Sequence, residues 1–359
     1  MSQDAGETDP AVWERITEAG IRLLRIPTPF QVGRVNTYLL EDEPLTLVDS
    51  GPNSGKALDE LERQLDALGH GIEDLELIVV THQHIDHLGL VDIVASRSGA
   101  DVAAIDVAVP FLENFGDDAE RDDEEAAALM RRHGISEEVV RALRQVTGSF
   151  RAWGSKIKVN RPLRDGELLE FRDRGLEVQH RPGHSPSDTL FWDSDRRILL
   201  AADHLIKHIS SNPLISRPLD GSAQRTQALV TYLESLKRTR ELPAEIVLAG
   251  HGEPINDHVA LIDSRFAMHQ RRAEKLYGLI SEESRTGHEL AQAIWGDVAV
   301  TQAFLTLSEV IGHVDLLVNA GYVREVEDGE VVRYEAISDT PADGLGDLIP
   351  GGNPVAAGG

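Results

Sequence analysis

The chain has 359 residues, 41% of them apolar, a formal net charge of −26 and no cysteine. That length suggests about two domains rather than one small one, and the missing cysteine excludes disulfides and thiol nucleophiles. The strong negative charge repels nucleic-acid phosphates, whose capture relies on lysine and arginine. No stretch approaches the ~18 uninterrupted apolar residues of a membrane span. The acidic N-terminus lacks an apolar signal segment, so a cytoplasmic protein without membrane contact is expected.

Residues 1–12 are polar and are expected to be disordered. Apolar runs at 21–26, 37–40 and 45–48 predict strands, and 54–68 predicts an amphipathic helix with Leu58, Leu61, Leu65 and Leu68 on one face. Between them, Gly51-Pro52-Asn53-Ser54-Gly55-Lys56-Ala57 mimics a phosphate-binding loop. It is one residue short and offers Ala57 where magnesium needs a hydroxyl, so it is read as a turn. The run 77–80 predicts a buried strand, 88–94 the start of a helix and 102–105 another strand. About 106–160 reads as a helical insertion, with helices at 118–132 and 136–146 and apolar bulk from Phe111, Phe115, Met130, Phe150 and Trp153. It is either a lid over the substrate or a packed elaboration that touches none. Strands are expected at 176–180, 198–202 and 246–249. A long helix at 257–280, helices at 288–294 and 303–320, and a hairpin of 322–326 and 331–334 turned at Asp328-Gly329 follow.

The segment between 80 and 90 carries the chemistry. His82, His84, Asp86 and His87 place four metal-competent side chains in one strand-to-helix loop. Imidazole and carboxylate ligands suit zinc, and also iron or manganese. His82 and His84, separated by one residue, can point the same way from an extended segment. Asp86 and His87 face differently as the chain turns into the helix, so one peptide can serve two ions; Asp86 is also positioned to cap that helix. His184, Asp203 and His251 each lie at or just past the end of a predicted strand, where backbone edges deliver ligands to a shared rim.

This order resembles the metallo-β-lactamase superfamily: His-x-His-x-Asp-His, then a His, a bridging Asp and a late His. Leu47-Val48-Asp49-Ser50-Gly51 matches its early strand-end motif. The resemblance covers roughly residues 20–260. It implies an α/β fold, a four-layer αβ/βα sandwich over 13–256 that contains the insertion. It implies His82, His84 and His184 on one ion, Asp86, His87 and His251 on a second, Asp203 bridging both, and Asp49 orienting the ligand loop. Two divalent ions, zinc foremost and iron or manganese as alternatives, would generate a bridging hydroxide that attacks an electrophilic carbonyl or phosphorus. Asp86 would be catalytic, holding that nucleophile. The bridging Asp203 points away from β-lactam hydrolysis and toward the glyoxalase-II, lactonase, thioesterase and nuclease branches. Asp188, close after His184, and His204 and His208, which flank Asp203, are candidates for the substrate pocket. For the two histidines a plain polar-loop role is an equal reading.

Residues 257–338, helices followed by a two-stranded wing, resemble the winged-helix module attached to some hydrolases of this fold. Residues 282–335 contain eleven acids and three arginines, which speaks against DNA. Packing on the hydrolase, or a homodimer, is expected instead. Residues 339–359 are expected to form a flexible tail. The leading expectation is a hydrolase of a small-molecule, ester-like substrate: a thioester, lactone or related acyl compound. A metal-dependent RNA endonuclease is disfavoured by the acidic surface. A mononuclear iron oxygenase of the persulfide-oxidising type would not need Asp86, His87 and His251. A scaffold on a retired hydrolase would not need the complete ligand set.

Overall fold

The computed structural model describes residues 9–222, 224–337, 345–346 and 348–349. Contacts between residues divide the chain into two units. The first takes the residues up to Ala119 with Phe150–Ser211 and Leu242–His258; the second takes Glu120–Ser149, Asn212–Glu241 and everything from Val259 onward. This division cuts across the linear partition expected at residue 256, because most of the insertion groups with the C-terminal segment.

The first unit holds two sheets. Strands β1 (Ile21–Ile26), β2 (Val35–Leu40), β3 (Thr46–Val48), β4 (Leu77–Val80), β5 (Asp101–Ile105) and β6 (Arg161–Leu163) form a six-stranded sheet in that order. Pairing is antiparallel from β1 to β3 and parallel from β3 to β6. Every residue of β2, β3 and β4 is buried, which is why these strands read as near-continuous apolar runs rather than as an alternation. The parallel steps use helices as crossovers. In the first of these, Gly55–Ala67, the Ser54 hydroxyl caps the start by accepting from the Ala57 amide at 3.1 Å. The phosphate-loop mimic is thus a turn and a helix cap. Ala57, Leu61 and Leu65 are buried, while Leu58 and Leu68 at the edges of the apolar face are half-buried.

Strands β7 (Leu168–Glu170), β8 (Gly175–His180), β9 (Thr189–Asp193), β10 (Ile198–Ala202) and β11 (Ile246–Ala249) form the second sheet, in the order β11-β10-β9-β8-β7. It is antiparallel except for the β10–β11 pair. Backbone bonds tie the sheets together at one end: Val35 bridges to His251, the Asn36 amide donates to the Gly250 carbonyl at 2.7 Å, and the Thr189 amide donates to the Thr81 carbonyl at 3.0 Å. The segments that leave β4, β8, β10 and β11 therefore meet.

The expected disorder at residues 1–12 is corrected at its end. A helix spans Pro10–Glu18, with the Asp9 carboxylate accepting from the Ala11 amide at 3.0 Å, proline in the first turn and Ile16 buried. Residues 1–8 lie outside the described residues.

The second unit is mainly helical. Ala127, Met130, Ile135 and Val140 of the insertion pack with Ile215, Ala228, Ala303, Leu307 and Ile311 in one buried cluster, so those helices are part of a core. Leu276, Tyr277, Leu290, Val310, Val314, Leu317, Val332 and Tyr334 build another. Thr286 and Glu289 cap each other's backbone amides at the start of the helix Gly287–Trp295. Strands β12 (Arg285–Thr286), β13 (Val323–Asp328) and β14 (Val331–Ala336) form an antiparallel sheet in the order β12-β14-β13. The hairpin turns where expected, with Gly329 at φ +65°. In the tail expected to be flexible, Leu345 and Ile349 are buried and the Leu348 amide donates to Gln270 at 3.0 Å. The remaining tail positions, 338–344, 347 and 350–359, lie outside the described residues. No described helix is long and apolar enough to cross a membrane.

Candidate metal centre

After β4 the chain stays extended through His84 (φ −76°, ψ 143°) and then enters the short helix Ile85–Leu88, which carries Asp86 and His87. Asp86 does not cap this helix; no side-chain cap is made there. Its carboxylate lies instead 3.5 Å from His251 Nε2. His184 sits in the turn after β8, Asp203 just past β10 and His251 just past β11. Three overlapping groups of these donors lie close enough to share ions: His82, His84 and His184; His82, His87 and Asp203; Asp86, His87 and His251.

In the first group, His84 Nδ1 is 3.1 Å from His82 Nε2 and 3.0 Å from His184 Nε2. Ring nitrogens about 2.0–2.1 Å from one tetrahedral ion would lie ~3.3 Å apart, so the spacing fits a shared ion. Asp203 connects this group to the other. Its Oδ1 is 3.4 Å from His87 Nε2, and its Oδ2 is 3.6 Å from His184 Nε2 and 3.4 Å from His251 Nε2. His87 Nε2 and Asp203 Oδ1 are both buried, and neither has a hydrogen-bond partner. Orphaned polar atoms at such a point are costly unless a cation takes their lone pairs. The donor set fits divalent metal.

The rings are aimed from behind. Asp49 accepts from the Thr81 amide at 2.9 Å and the Thr81 hydroxyl at 2.7 Å, and its Oδ2 is 2.7 Å from His87 Nδ1. An acceptor-only carboxylate assigns the His87 proton to Nδ1 and leaves Nε2 free for a ligand. With the Thr81 proton on Asp49, the hydroxyl accepts from His82 Nδ1 at 3.0 Å, which frees His82 Nε2 likewise. His251 Nδ1 donates to the Arg34 carbonyl at 2.9 Å. Three imidazoles are thus fixed in the tautomer that presents Nε2 to the centre.

Burial, reinforced by neighbouring imidazoles, holds His82 well below the ordinary histidine range and brings His84 down to about 3, so both are neutral. Burial would raise the Asp86 and Asp203 carboxyls, but His251 and His87 outweigh it and hold both below the usual range. Burial likewise opposes charge on His87 and His251. The Asp203 carboxylate overcomes it, raising His87 well above the ordinary value and His251 to about 10. The carboxylates therefore demand positive charge between these rings, and a divalent ion is the stronger way to supply it.

The chain matches the family model of the Metallo-beta-lactamase superfamily over residues 31–251. It belongs to that superfamily. This superfamily member is similar to the probable metallo-hydrolase YqjP of Bacillus subtilis (strain 168), with 30% identity over 322 residues, 90% of this chain and 99% of that protein. A shorter match, 31% identical over 136 residues, joins 35% of this chain to 40% of the acyl-coenzyme A thioesterase MBLAC2 of Gallus gallus. The crystal structure of the metallo-beta-lactamase family protein TTHA1429 from Thermus thermophilus superposes with a TM-score of 0.73 at 29% identity, covering 88% of this chain and 98% of that one. A beta-lactamase domain protein from Burkholderia ambifaria gives a TM-score of 0.76 at 25% identity, over 88% and 92% of the two chains. The protein is a metallo-hydrolase.

The three residues expected near the substrate divide. Asp188 is buried and accepts from the Ser185 amide at 3.0 Å and its hydroxyl at 2.8 Å, which braces the His184 turn. Burial raises its carboxyl. His204 is buried and lowered to about 3 by that burial, while His208 is exposed. Sequence reasoning missed Asn36 and Tyr38, whose side chains both donate to the Ala249 carbonyl, at 3.0 and 2.6 Å. It also missed Gly250, where a Cβ would lie 2.2 Å from Asp203 Oδ1 and 2.8 Å from His87 Cε1. Asparagine inside an apolar strand was the one legible sign of the first pair.

Proposed function

We propose that the protein is a dinuclear, zinc-dependent hydrolase of a small ester-like acyl substrate, a thioester or lactone. The observation that carries this reading is the reach of Asp203, whose carboxylate lies within 3.6 Å of His87, His184 and His251. It joins the His82–His84–His184 group to the Asp86–His87–His251 group. When bound, the ion pair supplies a water nucleophile active near neutral pH and Lewis-acid polarisation of the scissile carbonyl. Asp86 holds the attacking water by accepting its hydrogen bond. Asp49, Thr81 and the Arg34 carbonyl keep the rings oriented, so little reorganisation is needed at the moment of reaction.

The completeness of the Asp86–His87–His251 group favours two ions over a mononuclear oxygenase. The acidic balance of the chain argues against an RNA substrate. Similarity to a chicken acyl-coenzyme A thioesterase, though confined to 35% of this chain, makes thioesters the first class to test. Of the three pocket candidates, His208 is the exposed one. We read the C-terminal helices and hairpin as a winged-helix-like module for protein contacts, including self-association, in a cytoplasmic enzyme.

The test is metal counting followed by a panel of thioesters, lactones, β-lactams, phosphodiesters and RNA on the metal-loaded protein. About two ions per chain and turnover of a thioester or lactone are expected. One iron per chain with oxygen uptake, or turnover of RNA alone, would overturn the reading.

A further inference from the structure

We propose a second metal site, in the other unit of the chain, formed by His269, His313 and Glu309. It goes beyond the hydrolase reading and does not depend on it. His269 lies on the helix His258–Glu282; Glu309 and His313 lie one turn apart on the helix Ala303–Asn319. All three are buried, and one donor atom from each lies within 4.8 Å of the others. Two imidazoles and a carboxylate are a donor set for zinc or a similar divalent ion.

The tautomers make the case. His313 Nδ1 is 2.6 Å from the Glu309 carbonyl. A carbonyl only accepts, so the proton is on Nδ1 and His313 Nε2 carries a lone pair. That atom faces His269 Nδ1 at 3.0 Å. If His269 carries its proton on Nδ1, the two rings share a hydrogen bond, and His269 Nε2 becomes a buried acceptor with no partner. If the proton is on Nε2, that donor is unpartnered and two lone pairs meet at 3.0 Å. Each neutral tautomer leaves a deficit. Both rings are fully buried and the Arg272 guanidinium already pairs with Glu309 beside them, so the surroundings disfavour a further positive charge on the pair. A divalent ion that takes both facing lone pairs turns the clash into two ligand bonds, which outweigh the one donor, His269 Nε2–H, left unpartnered. The bond from His313 to the Glu309 carbonyl is the support a ligating imidazole ordinarily has.

Arg272 already pairs with the Glu309 carboxylate and also lies over the Trp295 ring, 5.5 Å from its centroid. It is a built-in competitor: metal entry requires Glu309 to exchange the guanidinium for the ion.

Equilibrium dialysis against Zn2+, with metal counted by mass spectrometry, tests the site. Three proteins are compared with the wild type: His269→Gln with His313→Gln, Arg272→Gln, and His84→Ala with His184→Ala, each checked for native circular dichroism. The first should lose about one ion per chain while keeping its hydrolytic activity, and the third should still bind at least one, the ion of the second unit. Arg272→Gln should take up the second-unit ion at lower free zinc. Unchanged stoichiometry in the double Gln protein overturns the proposal. So does a wild-type melting temperature that responds to zinc no differently from that of the double Gln protein. Neither result touches the first centre, because His82, His84, Asp86, His87, His184, Asp203 and His251 are intact in that variant.

Discussion

His87 Nε2 and Asp203 Oδ1 face each other at 3.4 Å, both buried and neither hydrogen-bonded. His87 is locked in place by Asp49, so it cannot turn away from this contact. Replacing Asp203 by Asn keeps the shape and removes the charge that the surrounding rings need. Asp203→Asn should lower bound metal and reduce kcat/KM further than Asp49→Asn, for which a loss of about 10–100-fold is expected from an outer partner. Metal content and turnover, measured together on both variants, check the order. Full activity in Asp203→Asn would remove the bridge from the mechanism.

Gly250 lets β11 pass directly beneath the centre. A methyl group there would lie 2.2 Å from Asp203 Oδ1, 2.8 Å from His87 Cε1 and 3.1 Å from the Ala202 carbonyl carbon. Gly250→Ala should therefore abolish metal uptake and hydrolysis by displacing two ligands, without removing any. Gly55→Ala is the control. No atom lies within 4 Å of the added Cβ at the start of its helix, and stability should rise by roughly 0.4–1 kcal/mol. Metal content should fall in Gly250→Ala and stay unchanged in Gly55→Ala, whose urea midpoint should rise.

The Ala249 carbonyl takes hydrogen bonds from both Asn36 Nδ2 and the Tyr38 hydroxyl, and Asn36 also holds the Gly252 carbonyl at 2.9 Å. Tyr38→Phe removes one of two donors and should cost about 1 kcal/mol. Asn36→Ala removes one donor from each carbonyl, leaving Ala249 only its bond from Tyr38, and should cost more, ~2–3 kcal/mol, with loosened metal binding because His251 lies between them. The double variant should be non-additive, since the two side chains share an acceptor. Urea unfolding of the three proteins gives the coupling directly.

The donor cluster was legible because its side chains sit at strand ends, where a short apolar run followed by His or Asp survives as a local pattern. All seven expected ligands, from His82 to His251, come together. What holds them was harder to read. Thr81 and Arg34 act through a neighbouring ring or a backbone carbonyl, and no spacing marks such a contact in advance. Strands β6, β7 and β9 escaped because β6 and β7 are three residues long and partly exposed, and β9 has only three consecutive apolar residues, Leu190, Phe191 and Trp192. The insertion read correctly as helical, but its grouping with Ile215, Ala228 and Leu307 depends on contacts far apart in the chain. The His269–His313 pair was invisible for the same reason: its two residues lie on different helices, 44 positions apart in sequence.

A buried ion pair away from the centre gives the fold an acid limit. Asp42 and Arg174 are joined at 2.9 Å with both side chains buried, and Asp42 also accepts from the Glu43 and Asp173 amides at 2.8 and 3.1 Å. Burial pushes the Asp42 carboxyl up, but the bonds from Arg174 and the two amides outweigh it and hold it below the ordinary value of 3.8. A carboxyl lowered on folding binds fewer protons in the native state. Its contribution is therefore complete above pH 3.8 and is lost as pH falls through the lower native value. Asp42→Asn should destabilise the first unit by about 3–5 kcal/mol at neutral pH, because the Arg174 guanidinium is left buried without its counter-charge. It should also flatten the fall in stability below about pH 4. Thermal melts of the wild type and Asp42→Asn from pH 7 to pH 3 should converge toward the acid end; parallel curves would assign the acid limit to other carboxylates.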